Sequence, residues 1–327
     1  MNWFRRPLAG GCLAVLAGLT LFSAQVQAQS YPTRSITMIV PFAAGGPTDV
    51  IARIVTGHMA QTLGQAIIIE NVVGAGGTTA TTRASKAAND GYTLITGHMG
   101  THAASVPLYP NLAYHPEKSF EPVALLAGTP ILILARKDFE PKDLKEFVAY
   151  VKANETKVNA AHAGVGSVSN VSCELLNSVL GVKPVGVPFN GTGPAMNALV
   201  AGQVDYMCDQ IVNAVPQVNG GTIKAYAVAT AERNPSLPNV PTTTEAGLPA
   251  FQAQAWNAIF APKGTPADVV TKLNEAAVKA LDDEGVRKRL LDLGSVIPGP
   301  ADRTPAALGT LVKNEIAKWT PVLKPVN

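Results

Sequence analysis

Charge and aromatic rings are scarce in this chain. Asp, Glu, Lys and Arg make up 15% of its 327 residues, aromatics make up 6%, and the formal net charge is +3. That balance provides no general field for nucleic acid or an anionic membrane surface. Beyond the N-terminal segment no stretch is long and apolar enough to span a bilayer, so the mature chain is expected to be soluble. A phosphate loop ending in GK[ST] is missing, as is a G-x-S-x-G elbow, which removes two common enzyme signatures. There is no short-period repeat and no low-complexity tract.

The first residues read as an export signal. Arg5 and Arg6 give a basic start, Pro7 to Ser23 is apolar, and Val26-Gln27-Ala28 places small residues where a signal peptidase reads. Two rival readings are weaker: Leu8–Cys12 as a lipoprotein box lacks a preceding apolar region, and Arg5-Arg6 as a twin-arginine signal has poorly fitting flanks. Cleavage after Ala28 removes 28 of 327 residues and leaves 299, with the net charge reduced to +1 by loss of the two arginines. The expected location is the periplasm. At roughly 150 residues per domain, this length suggests two domains. Two of the three cysteines survive cleavage, Cys173 and Cys208. In an oxidising compartment they could pair, or they could be two separate buried small side chains; their number alone leaves both open.

Strand and helix patterns alternate along the chain. Ile36–Val40 reads as a strand, Thr48–Leu63 as a helix, Ala66–Glu70 as a strand, a helix follows to about Ala88, and Tyr92–Thr96 is a third strand. This order predicts an α/β fold with a parallel sheet. A proline-rich irregular stretch runs from Pro107 to Pro122. Val123–Leu126 and Ile131–Arg136 read as strands interrupted at Gly128-Thr129-Pro130, and Val204–Cys208 and Ala253–Ala261 as further strands. The expected layout is a signal peptide over 1–28, a discontinuous first domain over 29–126 plus 251–327, and an inserted second domain over 127–250.

Three strand-to-helix junctions share one chemistry: Gly45-Gly46-Pro47-Thr48, Gly76-Gly77-Thr78, and Gly164-Val-Gly166-Ser167-Val-Ser169. Each sets glycine and hydroxyl residues at a helix start, where backbone N–H groups lack partners and the helix dipole is positive. One such loop is as well explained by capping and tight turning. Three in two domains point to a shared anion-binding cleft at the carboxyl ends of the strands.

Enzyme readings are thinner. Gly164-x-Gly166-x-x-Ser169 is an incomplete dinucleotide fingerprint in mid-chain. His98 and His102 have a metal-ligand spacing, but Gly100 lies between them and no nearby Cys, Asp or Glu completes a set, so a polar loop is the expected setting and no metal or cofactor is expected. Asp209, after the strand Val204–Cys208, is expected to point into the cleft as a base, ligand contact or brace; with no His or Lys matched to it, catalysis is the weakest of these.

The chain resembles the periplasmic solute-binding receptors of tripartite tricarboxylate transporters, the Bug-type receptors. The markers are Pro41-Phe42…Gly45-Gly46-Pro47-Thr48-Asp49…Arg53, Glu70-Asn71…Gly74-Ala75-Gly76-Gly77, Asp90-Gly91-Tyr92-Thr93-Leu94, Gly164-x-Gly166-Ser167, Gly191-Thr192-Gly193-Pro194-Ala195, Gly202-Gln203-Val204-Asp205…Asp209 and Ala261–Pro266. The resemblance implies a two-domain periplasmic-binding-protein fold of type II-like architecture that closes on a ligand by a hinge. It implies a small carboxylate held by Phe42, Gly45, Gly46, Thr48, Asp49, Gly76, Gly77 and Thr78 from the first domain. From the second it implies Ser167, Phe189, Asn190, Gly191 and Asp209, with Ser169 and Asn170 beside them. Two departures stand near the cleft: Asn170 where the family commonly has His, and Ser105-Val106 where it commonly has Asn.

The resulting expectation is a monomeric receptor that passes a carboxylate to membrane permease subunits. Phe42, Phe189, His98 and His102 could sandwich a flat ring, which leans the ligand toward an aromatic dicarboxylate of the terephthalate type. The alternatives are an aliphatic di- or tricarboxylate such as citrate, a sensory binding protein, or a secreted enzyme using Asp209 and the histidines.

Overall fold

The computed structural model describes residues 31–323; the expected leader, 1–28, lies outside the described residues. Nine strands alternate with helices. The first three strands are β1 (Ile36–Val40), β2 (Ile67–Asn71) and β3 (Thr93–His98). β1 pairs in parallel with both β2 and β3, so the continuous apolar run Ile36–Val40 is the buried centre of a sheet. Helix α1 (Pro47–Leu63) starts with proline at its first position and stops at Gly64 in the left-handed region, φ 67°. Its buried stripe, Ile51, Ile54, Val55 and Met59, has helical spacing. α2 (Thr78–Ser85) is short, and a π turn over Gly100–Ala104 leads to the one-turn helices α3 (Ser105–Leu108) and α4 (Pro116–Ser119).

The expected break at Gly128-Thr129-Pro130 does not occur. β4 runs without interruption from Phe120 to Arg136. Up to Pro130 it pairs antiparallel with β9 (Gln254–Pro262); from Ile131 it pairs with β7 (Tyr206–Gln210) and β8 (Ile223–Val228). Gly128 and Pro130 sit where the strand changes partners, and Gly128 also exchanges backbone hydrogen bonds with Val296, 2.8 Å each way. Flanking partners override the local turn chemistry. β4 therefore joins two groups of strands. One is ordered β2-β1-β3-β9-β4, and the other runs β4-β7 to β5 (Asn159–His162) and β6 (Val185–Pro188), with β8 also on β4.

Helices α5 (Leu144–Ala153), α6 (Val168–Leu180), α7 (Thr192–Val200) and α8 (Ile211–Asn219) belong to the second group. α8 was not visible in the sequence pattern because Pro216 lies within it. α9 (Ala267–Asp282), α10 (Glu284–Asp292) and α11 (Pro305–Trp319) follow β9; α9 packs on α1 and β4, and α11 on β4. The aromatic cluster Phe139, Phe147, Tyr206 and Tyr226 packs mostly edge to face in the second group, with Phe147 and Tyr206 centroids 5.3 Å apart. Cys173 of α6 and Cys208 of β7 form a disulfide, with Cα atoms 5.2 Å apart.

Candidate functional site

The loop after β1 is braced from below. Asp49 accepts hydrogen bonds from Gly45 N (3.0 Å), Arg53 Nε (2.9 Å) and Asn71 Nδ2 (2.9 Å). Burial alone would raise its carboxyl; the donors Arg53, Gly45 and Asn71 outweigh that and hold it below the usual carboxylate range. Asp49 is thus a fixed anion whose charge is spent on the loop. Gly45 has φ 85°, a conformation suited to glycine, whereas Gly46 has φ −80° and serves as the helix cap.

The loop before α6 is braced in a similar way. Ser167 Oγ accepts from Asn170 N (3.2 Å) and lies 3.2 Å from Ser169 Oγ, while Ser169 Oγ accepts from Ala163 N (2.9 Å). Asn170 Oδ1 accepts from Gly166 N (2.9 Å), so Asn170 holds the loop and is absent from the cavity wall.

A cavity of about 20 Å³ lies between the two groups of strands, close to the space one enclosed water needs. Its walls include Phe42, Gly46 and Thr48 on one side, Ser167, Ser169, Thr192 and Gln210 on the other, and His98 at the end of β3. The starts of α1, α6 and α7 converge on it, and among the described residues no Lys or Arg lines it. An outer groove beside it is lined by Phe42, Gly76, Gly164, Val165, Phe189 and Asn190, among others.

Both histidines are buried, against the expectation of a polar loop. The strand β3 runs on to His98, so the ring enters the interior instead of a turn. His98 Nδ1 accepts from Gly100 N (2.9 Å) and Thr101 N (3.3 Å), which places its proton on Nε2; that nitrogen has no protein partner. Burial pushes the His98 pKa down to about 3, so the ring is neutral. It stacks on Phe42, centroids 5.1 Å apart. His102 does not reach the cavity: it stacks on Phe260 at 3.9 Å, bonds Thr101 Oγ1 at 3.0 Å, and is held neutral by burial. The two rings answer to different neighbours and make no shared ligand pair.

Asp209 departs from expectation too. It is fully buried and is not on the cavity wall but behind Thr192, accepting from Asn213 Nδ2 (2.6 Å), Gln210 N (2.8 Å) and the Thr192 hydroxyl. Burial raises its pKa to about 7 against those donors. Successive strand residues face opposite sides, and β7 runs two residues further than expected, so the residue presented to the cavity is Gln210. Gln210 and Thr192 were not singled out from the sequence; the only signal for Gln210 was its place directly after Asp209.

Thr78 bonds Ala75 O (2.9 Å) within its own loop. Phe189 and Asn190 line the outer groove, and Asn190 O accepts from Ala43 N across the seam at 3.0 Å. The seam is otherwise built largely on glycine. A Cβ on Gly164 would lie 3.0 Å from Gly76 N, and one on Gly191 3.0 Å from Ala43 N; Gly77 instead packs within the first group, where a Cβ would lie 2.7 Å from Thr101 Cγ2. Tyr109 Oη donates to Val165 O at 2.7 Å across the same seam.

Strand groups joined by a shared strand, enclosing a cavity walled by three helix starts, define a solute-binding receptor of the periplasmic-binding-protein type. Residues 51–327 match the tripartite tricarboxylate transporter family receptor, and the chain belongs to that family. It is 44% identical over 312 residues to a UPF0065 protein in the TAR-I ttuE-ttuC' intergenic region of Agrobacterium vitis, covering 95% of this chain and 90% of that one. It superposes on MatC of Rhodopseudomonas palustris with bound malate at TM-score 0.87 and 59% identity, covering 89% of this chain and 99% of that one. It superposes on the periplasmic binding protein BugD at TM-score 0.87 and 40% identity, covering 90% and 100%. The Bug-type resemblance read from the loops is borne out.

Proposed function

We propose that this receptor captures a small aliphatic dicarboxylate of the malate type in the periplasm and delivers it to membrane permease subunits. The observation that carries this reading is the convergence of three helix starts, with Thr48, Ser167, Ser169 and Thr192, on one cavity free of cationic side chains. Unpaired N–H groups and helix dipoles bind anions without a countercharge. The malate-bound neighbour at 59% identity agrees in ligand class.

Size favours the aliphatic reading over the terephthalate type. Phe42 and His98 stack on each other, centroids 5.1 Å apart, which leaves no slot for a third ring between them, and Phe189 lies in the outer groove. Asp49 and His98 both reach the cavity wall, but the Asp49 carboxylate is engaged by Gly45, Arg53 and Asn71 and His98 Nδ1 by backbone N–H groups, which favours a ligand held unchanged. Domain 1 (29–126 plus 251–327) and domain 2 (127–250) move about the crossings of β4 and β9, opening the cavity for entry. The disulfide suits an oxidising compartment, and among the described residues no helix is long and apolar enough to cross a membrane.

Calorimetric titration with L-malate, succinate, citrate, adipate and terephthalate tests the ligand class. Tight binding of L-malate or succinate with weaker terephthalate is expected; tighter terephthalate returns the aromatic reading. Absence of binding across the set overturns the carboxylate assignment. N-terminal sequencing of protein from a periplasmic extract, expected to begin at Gln29, tests export.

A further inference from the structure

Four buried polar side chains form a chain beside the cavity. Thr48 Oγ1 donates to Asn257 Oδ1 at 3.2 Å. Asn257 Nδ2 donates to Gln210 Oε1 at 2.9 Å, and Thr129 Oγ1 donates to the same oxygen at 2.7 Å. Thr48 and Gln210 are each 3% exposed, and Thr129 and Asn257 fully buried. Gln210 Oε1 is therefore fully occupied as an acceptor. Its Nε2 has no protein partner, is not among the sealed-off polar atoms, and belongs to a residue of the cavity wall. Turning this amide over on its own would set its N–H groups against the Asn257 N–H, leaving buried donors unpaired.

The placement of the chain adds to this. Thr129 lies in β4 and Asn257 in β9, just before β4 leaves β9 at Pro130. Gln210 pairs with Ile131, the first residue of β4 on the other side of that crossing. Thr48 is in the first turn of α1. The network thus ties both cavity walls to the crossing strand.

We propose that Gln210 is a specificity-determining residue whose amide N–H groups hold the far carboxylate of the ligand, and that Thr129 and Asn257 are positioning residues that fix which end of that amide faces it. This rests on the dicarboxylate reading above. The near carboxylate belongs to the helix starts; a neutral two-hydrogen donor beside those of α6 and α7 suits a second anionic oxygen, and His98 Nε2–H stands on the same cavity.

The test is calorimetry with L-malate, succinate and succinate monomethyl ester on wild type, Gln210→Met, Gln210→Glu, Thr129→Val and the double variant Thr129→Val/Gln210→Met, each checked by circular dichroism. Gln210→Met should weaken L-malate and succinate by about 10- to 100-fold and shrink the preference for succinate over its monoester. Gln210→Glu should lose more, since a carboxylate would face a carboxylate. Thr129→Val should cause part of the loss, and the double variant should be no worse than Gln210→Met, because the positioning group acts only through Gln210. Folded Gln210→Met and Gln210→Glu proteins that bind both diacids within about twofold of wild type overturn the proposal. A Gln210→Glu protein with wild-type affinity beside a weakened Gln210→Met overturns the donor orientation, and additive losses in the double variant overturn the positioning role. Failure of the wild type itself to bind any of these acids overturns the carboxylate reading beneath, a separate result.

Discussion

The carbonyl oxygen of Val165 lies against Gly76 so closely that a Cβ there would sit 1.8 Å from it. The two residues come from opposite sides of the cleft, and Gly76 has φ 60°. On the hinge motion proposed above, this contact forms only when the cleft shuts. Gly76→Ala should hold it ajar and weaken L-malate binding by at least about tenfold, or about 1.4 kcal/mol. X-ray scattering would show the radius of gyration failing to shrink on ligand addition. Gly57→Ala in α1 is the control: nothing lies within 4 Å of its Cβ position, so affinity should stay within a few fold.

The two buried histidines should separate cleanly by mutation. His98→Phe removes the Nε2 donor and the acceptor of two backbone N–H groups, and should weaken binding by about tenfold or more. His102→Phe replaces a ring already stacked on Phe260, and should leave affinity within about threefold. Both are read by titration.

In an Asp209→Asn background, which removes the group near the cavity wall whose pKa burial raises to about 7, affinity for a dianion should be flat between pH 6 and 8.5. His98 has its pKa pushed down to about 3 by burial, so it gains no charge in that window. A rise in affinity toward pH 6, measured by titration at several pH values, would show that it does.

Fold stability should fall as pH rises from about 4 through 7. Burial raises the Asp209 carboxyl from its ordinary value of 3.8 to about 7 in the folded protein. Between those values the folded protein keeps a proton that the unfolded chain releases, so raising the pH favours unfolding. Above about 7 this penalty is fully present. Melting temperature against pH should show that slope, and Asp209→Asn should flatten it.

Reduction should soften the second group of strands. The Cys173–Cys208 bridge closes a separation of 35 residues, worth about 3–4 kcal/mol by loop entropy. Urea unfolding with and without reductant should show a loss of that order, matched by the Cys173→Ala/Cys208→Ala double variant.

What the sequence revealed was local. β1, α1 and the loop between them were legible because an apolar run, two glycines, a proline and a threonine each act within a few residues. Of the three glycine loops read as one cleft, those at the starts of α1 and α6 reach the cavity, while the Gly76 loop lines the outer groove and the start of α7 takes its place. Continuity of β4 through Gly128-Thr129-Pro130 was not, because β9, more than a hundred residues later, supplies the pairing. Nor was the choice of Gln210 over Asp209, since the strand runs two residues past its expected end and neighbouring strand residues face opposite sides. His102 read as polar because nothing nearby in sequence announces Phe260 as its cover.

The bridge between α6 and β7 also bears on timing. α6 carries Ser167 and Ser169 at its start and β7 carries Gln210 at its end, so a single covalent link spans one wall of the cavity. On the proposed export route, a precursor in a reducing cytoplasm would lack that staple. Ligand there adds less folding free energy, because binding stabilises only the competent form. On the export proposed above, oxidation would complete the wall only after the chain leaves the cytoplasm, so the ligand would stabilise the exported form more than its precursor.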